Sequence, residues 1–84
     1  MPTVLRVAGL RFIIWPDDHL PPYVHVFGVD GSAKIAIGSA SSPPRLMAVA
    51  GLSRKQAAEA LRAVAANRKL MLDVWESIHG KLDH

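Results

Sequence analysis

Cysteine is absent from this 84-residue chain, which excludes a disulfide framework and a thiolate metal centre. Long apolar runs are absent too, and nothing approaches the roughly 20 residues that cross a bilayer. The opening Met1-Pro2-Thr3-Val4-Leu5-Arg6 lacks the basic start and extended apolar stretch of a signal peptide. A cytoplasmic protein without membrane contact is expected. Acids are in short supply: Asp and Glu number 7 against 10 Lys and Arg, giving a net charge of +3. The pI near 9.8 leans toward an anionic partner such as RNA, DNA or an acidic protein. What is present is ordinary for a globular domain, with 50% apolar and 20% charged residues. The length fits one domain, residues 1–84, and not two. A domain of this size buries only roughly 60% of the surface its unfolded chain exposes, so its stability margin is thin.

There is no internal repeat and no low-complexity tract. Residues 1–49 read as a β-rich half. Val4 to Val7 and Leu10 to Trp15 are strand candidates joined by a tight Ala8-Gly9 turn. Pro16-Asp17-Asp18 ends the second, since proline has no N–H to give the ladder. Tyr23 to Phe27 is a third strand. A hairpin loop, residues 28–32, leads to a fourth over Ala33 to Ile37. Arg45 to Val49 reads as a short edge strand or as nothing regular.

Residues 53–79 form the helical half. Ser53 is a good N-cap, and Gln56 three residues later completes a capping box. The helix runs from Arg54 to Ile78, with Gly80 suited to its C-terminal turn. Its apolar stripe is Ala57, Leu61, Val64, Met71, Trp75 and Ile78, interrupted at Asn67, Arg68 and Lys69. The fold class is therefore α+β. We expect a three- or four-stranded, mostly antiparallel sheet followed by one long C-terminal helix, or by two separated by a kink. A straight helix of this length would span about 38 Å, against a domain diameter of roughly 30 Å. Either its end overhangs and offers Trp75 and Ile78 to a second copy or another protein, or it bends near Asn67.

Strand alternation decides what faces outward. Val24 and Val26 fall on one face, and Tyr23, His25 and Phe27 on the other. With the apolar sets turned under the helix, the opposite sheet face collects Arg6, Arg11, Tyr23, His25 and Lys34. Trp15 and Phe27 lie toward strand ends. A sheet face mixing cations with flat rings suits single-stranded nucleic acid, and Arg6, Arg11, Tyr23 and Lys34 are the residues expected to hold it.

The segment from Asp17 to Val26 concentrates groups able to exchange protons or bind cations. His25 as proton-transfer residue and Tyr23 as proton donor, with Arg11 or Lys34 holding a phosphate, would suit metal-independent RNA cleavage. Asp17, Asp18, His19 and His25 are weak metal-ligand candidates, and a solvated Asp-Asp turn needs no metal. No cofactor is implied.

The opening Met1 to Val7 with Leu10-Arg11-Phe12 carries a resemblance. So do the run Asp18 to Val26, Ala33-Lys34-Ile35 and the closing Trp75-Glu76-Ser77-Ile78-His79-Gly80. Together they resemble the small bacterial proteins grouped as domain of unknown function family 4160. That resemblance implies a gene setting like a toxin–antitoxin module and a small partner protein encoded nearby. The family pattern has histidine where this chain has Tyr23, so only His25 of a histidine pair carries over. The expectation is a small cytoplasmic interaction protein, one component of a toxin–antitoxin-like pair and a homo-oligomer, binding a protein partner and RNA or DNA. The alternative is the ribonuclease built on His25.

Overall fold

The computed structural model describes residues 3–15, 21–39 and 41–80. Five strands come first: β1 (Thr3–Val7), β2 (Leu10–Ile13), β3 (Tyr23–Phe27), β4 (Ser32–Ala36) and β5 (Arg45–Ala50). Two helices follow, α1 (Arg54–Ala66) and α2 (Arg68–His79). The strands form one sheet in the order β1-β2-β3-β4-β5, and every neighbouring pair is antiparallel. The α+β class holds, but the sheet has five strands rather than three or four. The added member is Arg45–Ala50, whose short, weakly alternating sequence did not distinguish a strand from a loop. It is fixed by pairing along the whole of β4, which no local signal reports.

Each junction has a local cause. Val7 pairs with Leu10, leaving Ala8 and Gly9 as a two-residue hairpin loop with φ of 55° and 77°. That is the left-handed geometry which matches the strands' twist. At the far end of the sheet, Gly31 and Gly51 lie backbone against backbone. A Cβ on Gly31 would overlap the Ala50 carbonyl oxygen and come within 2.7 Å of the Gly51 Cα. Two glycines thus let the β3–β4 loop close against the exit of β5.

Ser53 caps α1 as expected. The Gln56 N–H donates to Ser53 Oγ (3.1 Å), and the Ser53 N–H donates to Gln56 Oε1 (2.9 Å). The helical half divides at Asn67. The Asn67 N–H is shared between the Ala63 and Val64 carbonyls, and Asn67 Nδ2 also donates to Ala63 (2.8 Å). The Met71 N–H then starts α2 from the Asn67 carbonyl. A side chain that competes for the helix's own carbonyls is a recognised cause of a break.

The core lies on the face that holds Leu10, Phe12, Ile14, Val24, Val26, Ala33, Ile35 and Ile37, all buried. Ala60, Ala63 and Val64 of α1 and Met71 and Trp75 of α2 complete it. Small residues on α1 let the helix sit close to β4 and β5, the strands it contacts. The break at Asn67 removes the overhang expected of a straight helix. Trp75 is 1% exposed and belongs to the core, and Ile78 is half-buried against it. Neither residue offers the open apolar surface that an interface at the helix end requires. Trp75 Nε1 is buried without a hydrogen-bond partner. The C-terminal turn of α2 is tied down instead by His79. Its ring stacks on Trp75 at 4.0 Å between centroids, and its Nε2 lies 3.1 Å from the Trp15 carbonyl oxygen. A carbonyl only accepts, so Nε2 donates in that contact.

Candidate functional site

The register sorts the side chains in rows across the sheet. Arg6, Arg11, Phe27, Ser32 and Ala50 are successive cross-strand partners from β1 to β5. Ile13, His25, Lys34 and Ala48 form the next row, and Tyr23, Ala36 and Arg45 the third. These rows lie on the side opposite Val24 and Val26, as alternation requires, although Tyr23 is packed into the core cluster beside Trp75. The five strands contain no Asp or Glu. All four of their Arg and Lys residues, Arg6, Arg11, Lys34 and Arg45, fall in the outward rows. Arg45 escaped the sequence reading because its face depends on the register of β5, which only the pairing defines.

The outward face is covered only in part. Ile13, Tyr23 and Ala36 are 5%, 4% and 9% exposed, so the face is covered around Tyr23, while Arg45 at the end of that row is exposed. The Tyr23 ring touches that of Trp75 (5.9 Å between centroids), and the Lys34 ammonium lies over it at 4.6 Å. Tyr23 therefore serves as packing and as a cation platform, with little surface left for a substrate. This corrects its expected place on the accessible surface. The open end carries Arg6 and Arg11, both exposed, with His25, Phe27 and Lys34 half-buried.

Ring contacts bind this end together. His25 and Phe27 are stacked, 6.3 Å apart with planes 10° from parallel. Trp15 meets both edge-on, at 5.9 Å from His25 and 6.5 Å from Phe27. Tyr23 approaches His25 at 5.3 Å. The Arg11 guanidinium sits over the Phe27 ring at 5.8 Å. Such edge and stacked contacts are attractive, and those of a cation over a ring also orient the charge. Beside them runs an open groove of about 230 Å³ lined by His25, Phe27, Ser32, Lys34 and the small residues Ala48 and Ala50 of β5.

Arg6, Arg11, His25 and Lys34 are thus brought to one face as the alternation predicts. Asp17, Asp18 and His19 lie outside the described residues. Among the described residues no group of three His, Asp or Glu is placed to hold a metal ion, and no helix is long and apolar enough to cross a membrane.

No curated protein and no solved structure matches this chain. The family resemblance read from the motifs holds over most of its length: the model for Domain of unknown function (DUF4160) matches residues 9–76, and the chain belongs to that family.

Proposed function

We propose that this chain is a small interaction protein whose outward sheet face holds single-stranded nucleic acid. The observation that supports it most is the sorting of charge. Every Arg and Lys of the sheet lies on one face, no acid accompanies them, and their open end surrounds the stacked rings of His25 and Phe27. Phosphates pair with Arg6, Arg11 and Lys34, and an unstacked base lies against Phe27 or His25. The groove along β5 is lined by alanines, which leave room for a backbone to pass. The protein partner expected of a toxin–antitoxin-like pair belongs to the same proposal, as a molecule that shares or blocks this face.

The ribonuclease alternative is less well supported. It asks Tyr23 to give a proton to substrate, and that side chain is 4% exposed beneath Lys34. His25 has three rings beside it, which supply a stacking surface.

Fluorescence anisotropy with a labelled single-stranded RNA, titrated across salt, tests the proposal. Affinity should fall steeply with ionic strength. Arg11→Ala should flatten the slope of log K against log[salt] by about one. Phe27→Ala should cost roughly 1–3 kcal/mol of binding with the slope unchanged. No binding at low salt, or indifference to both variants, would overturn it.

A further inference from the structure

The fifth strand ends the sheet with its outer edge open: among the described residues no strand pairs beyond it. An open edge presents a row of backbone donors and acceptors that only another extended segment satisfies. Natural edges are guarded by charge, by proline or by a bulge. Each edge strand carries one arginine and a bulge; in the fifth strand the arginine is the first residue, so Leu46 to Ala50 is without charge or proline. Met47 and Val49 there are 38% and 49% exposed.

The strand's own pattern names its occupant. Leu46 pairs with Ile35 and Val49 with Ala33, so both face the core side. Arg45, Ala48 and Ala50 pair with Ala36, Lys34 and Ser32, and face outward. Met47 is the extra residue of a bulge between Leu46 and Ala48. Two such strands, antiparallel, match face to face in the register that sets Arg45 opposite Ala50, Leu46 opposite Val49 and Met47 opposite Ala48. Sliding by one residue sets Leu46 opposite Ala48 or Ala50 and puts a core-facing side chain against an outward one. In a strand without the bulge, Leu46 and Val49 would face opposite sides and the match would be lost. The two Arg45 side chains stand about 17 Å apart in this register, well beyond the screening length of roughly 8–10 Å. The only charge on the strand therefore does not oppose it.

We propose that two copies of this chain associate through antiparallel pairing of their fifth strands into a continuous ten-stranded sheet. The pairing is isologous, the same patch serving both copies. Its two-fold axis stands normal to the sheet, so both outward faces lie on the same side. Arg45 of the second copy then extends the row Arg6, Arg11, Phe27, Ser32, Ala50. On the nucleic-acid reading, that joins two binding faces into one track.

Sedimentation velocity without nucleic acid tests the association separately from that reading. The chain should sediment at twice its 9.1 kDa mass. Val49→Lys should return it to the mass of one chain with its circular dichroism unchanged, and Val29→Lys, at a 97% exposed loop position, should leave the doubled mass intact. The chain has no cysteine of its own, so spin labels on Ala48→Cys and Ala50→Cys report the register directly. The two labels at 48 should be close, and those at 50 should stand about 17 Å apart at their Cα atoms. A single-chain mass at every concentration, a dimer that survives Val49→Lys, or labels closer at 50 than at 48 would overturn the proposal.

Discussion

Single residues carry opposite loads in this chain. Ala8 is the one non-glycine with positive φ among the described residues, and it occupies a turn position that favours Asn or Gly. A left-handed backbone costs an ordinary residue about 1–2 kcal/mol. Ala8→Asn should therefore raise stability by about 1 kcal/mol in urea denaturation. Gly9 beside it is favoured by its φ of 77° and not by crowding, since nothing lies within 4 Å of where its Cβ would be. His25 shows what one position can reveal in advance. Period-two alternation requires its ring to oppose Val24 and Val26, and it does. The burial of Tyr23 was not legible, because alternation gives the face and not what covers it. Cover at that end comes in part from Trp75, more than fifty positions away, and only the packed fold brings the two rings together.

Whole elements were legible to the extent that their signals are local. The capping box at Ser53 and Gln56 is a contact across three residues, and it forms as written. Ser53→Ala removes an acceptor for a helix donor and should cost about 1 kcal/mol. In a chain this short that lowers the melting temperature by about 4–8 °C. The division of the helical half was left open: three polar residues in an apolar stripe and the length admitted either an overhanging single helix or a bend near Asn67, and the structure has two helices. Where the second helix would then lie was not visible. Straight or bent, the sequence is the same, but only the bent form carries Trp75 into the core. Arg45–Ala50 is the opposite case: an element made by its neighbour, with little of its own pattern to announce it.

On the scale of the whole molecule, charge and topology are separable. The net charge of +3 points to an anionic partner without saying where it would sit. The sheet turns all its own cations to one side, and on the proposed reading that side is where the partner sits. Topology has a further consequence. Each strand pairs with the strand before it in sequence, and the helices follow once the sheet is complete. No pairing waits for a distant segment, so little loop entropy is spent before contacts form. Stopped-flow refolding should therefore be fast for a β-rich chain, in the millisecond range, with a single exponential and a V-shaped chevron. A slow dominant phase that persists in the presence of a prolyl isomerase would contradict this. A meander of this kind also suits emergence from a ribosome. Each hairpin closes on what has already left the tunnel, and the nascent sheet waits only for the final helices to cover its greasy side.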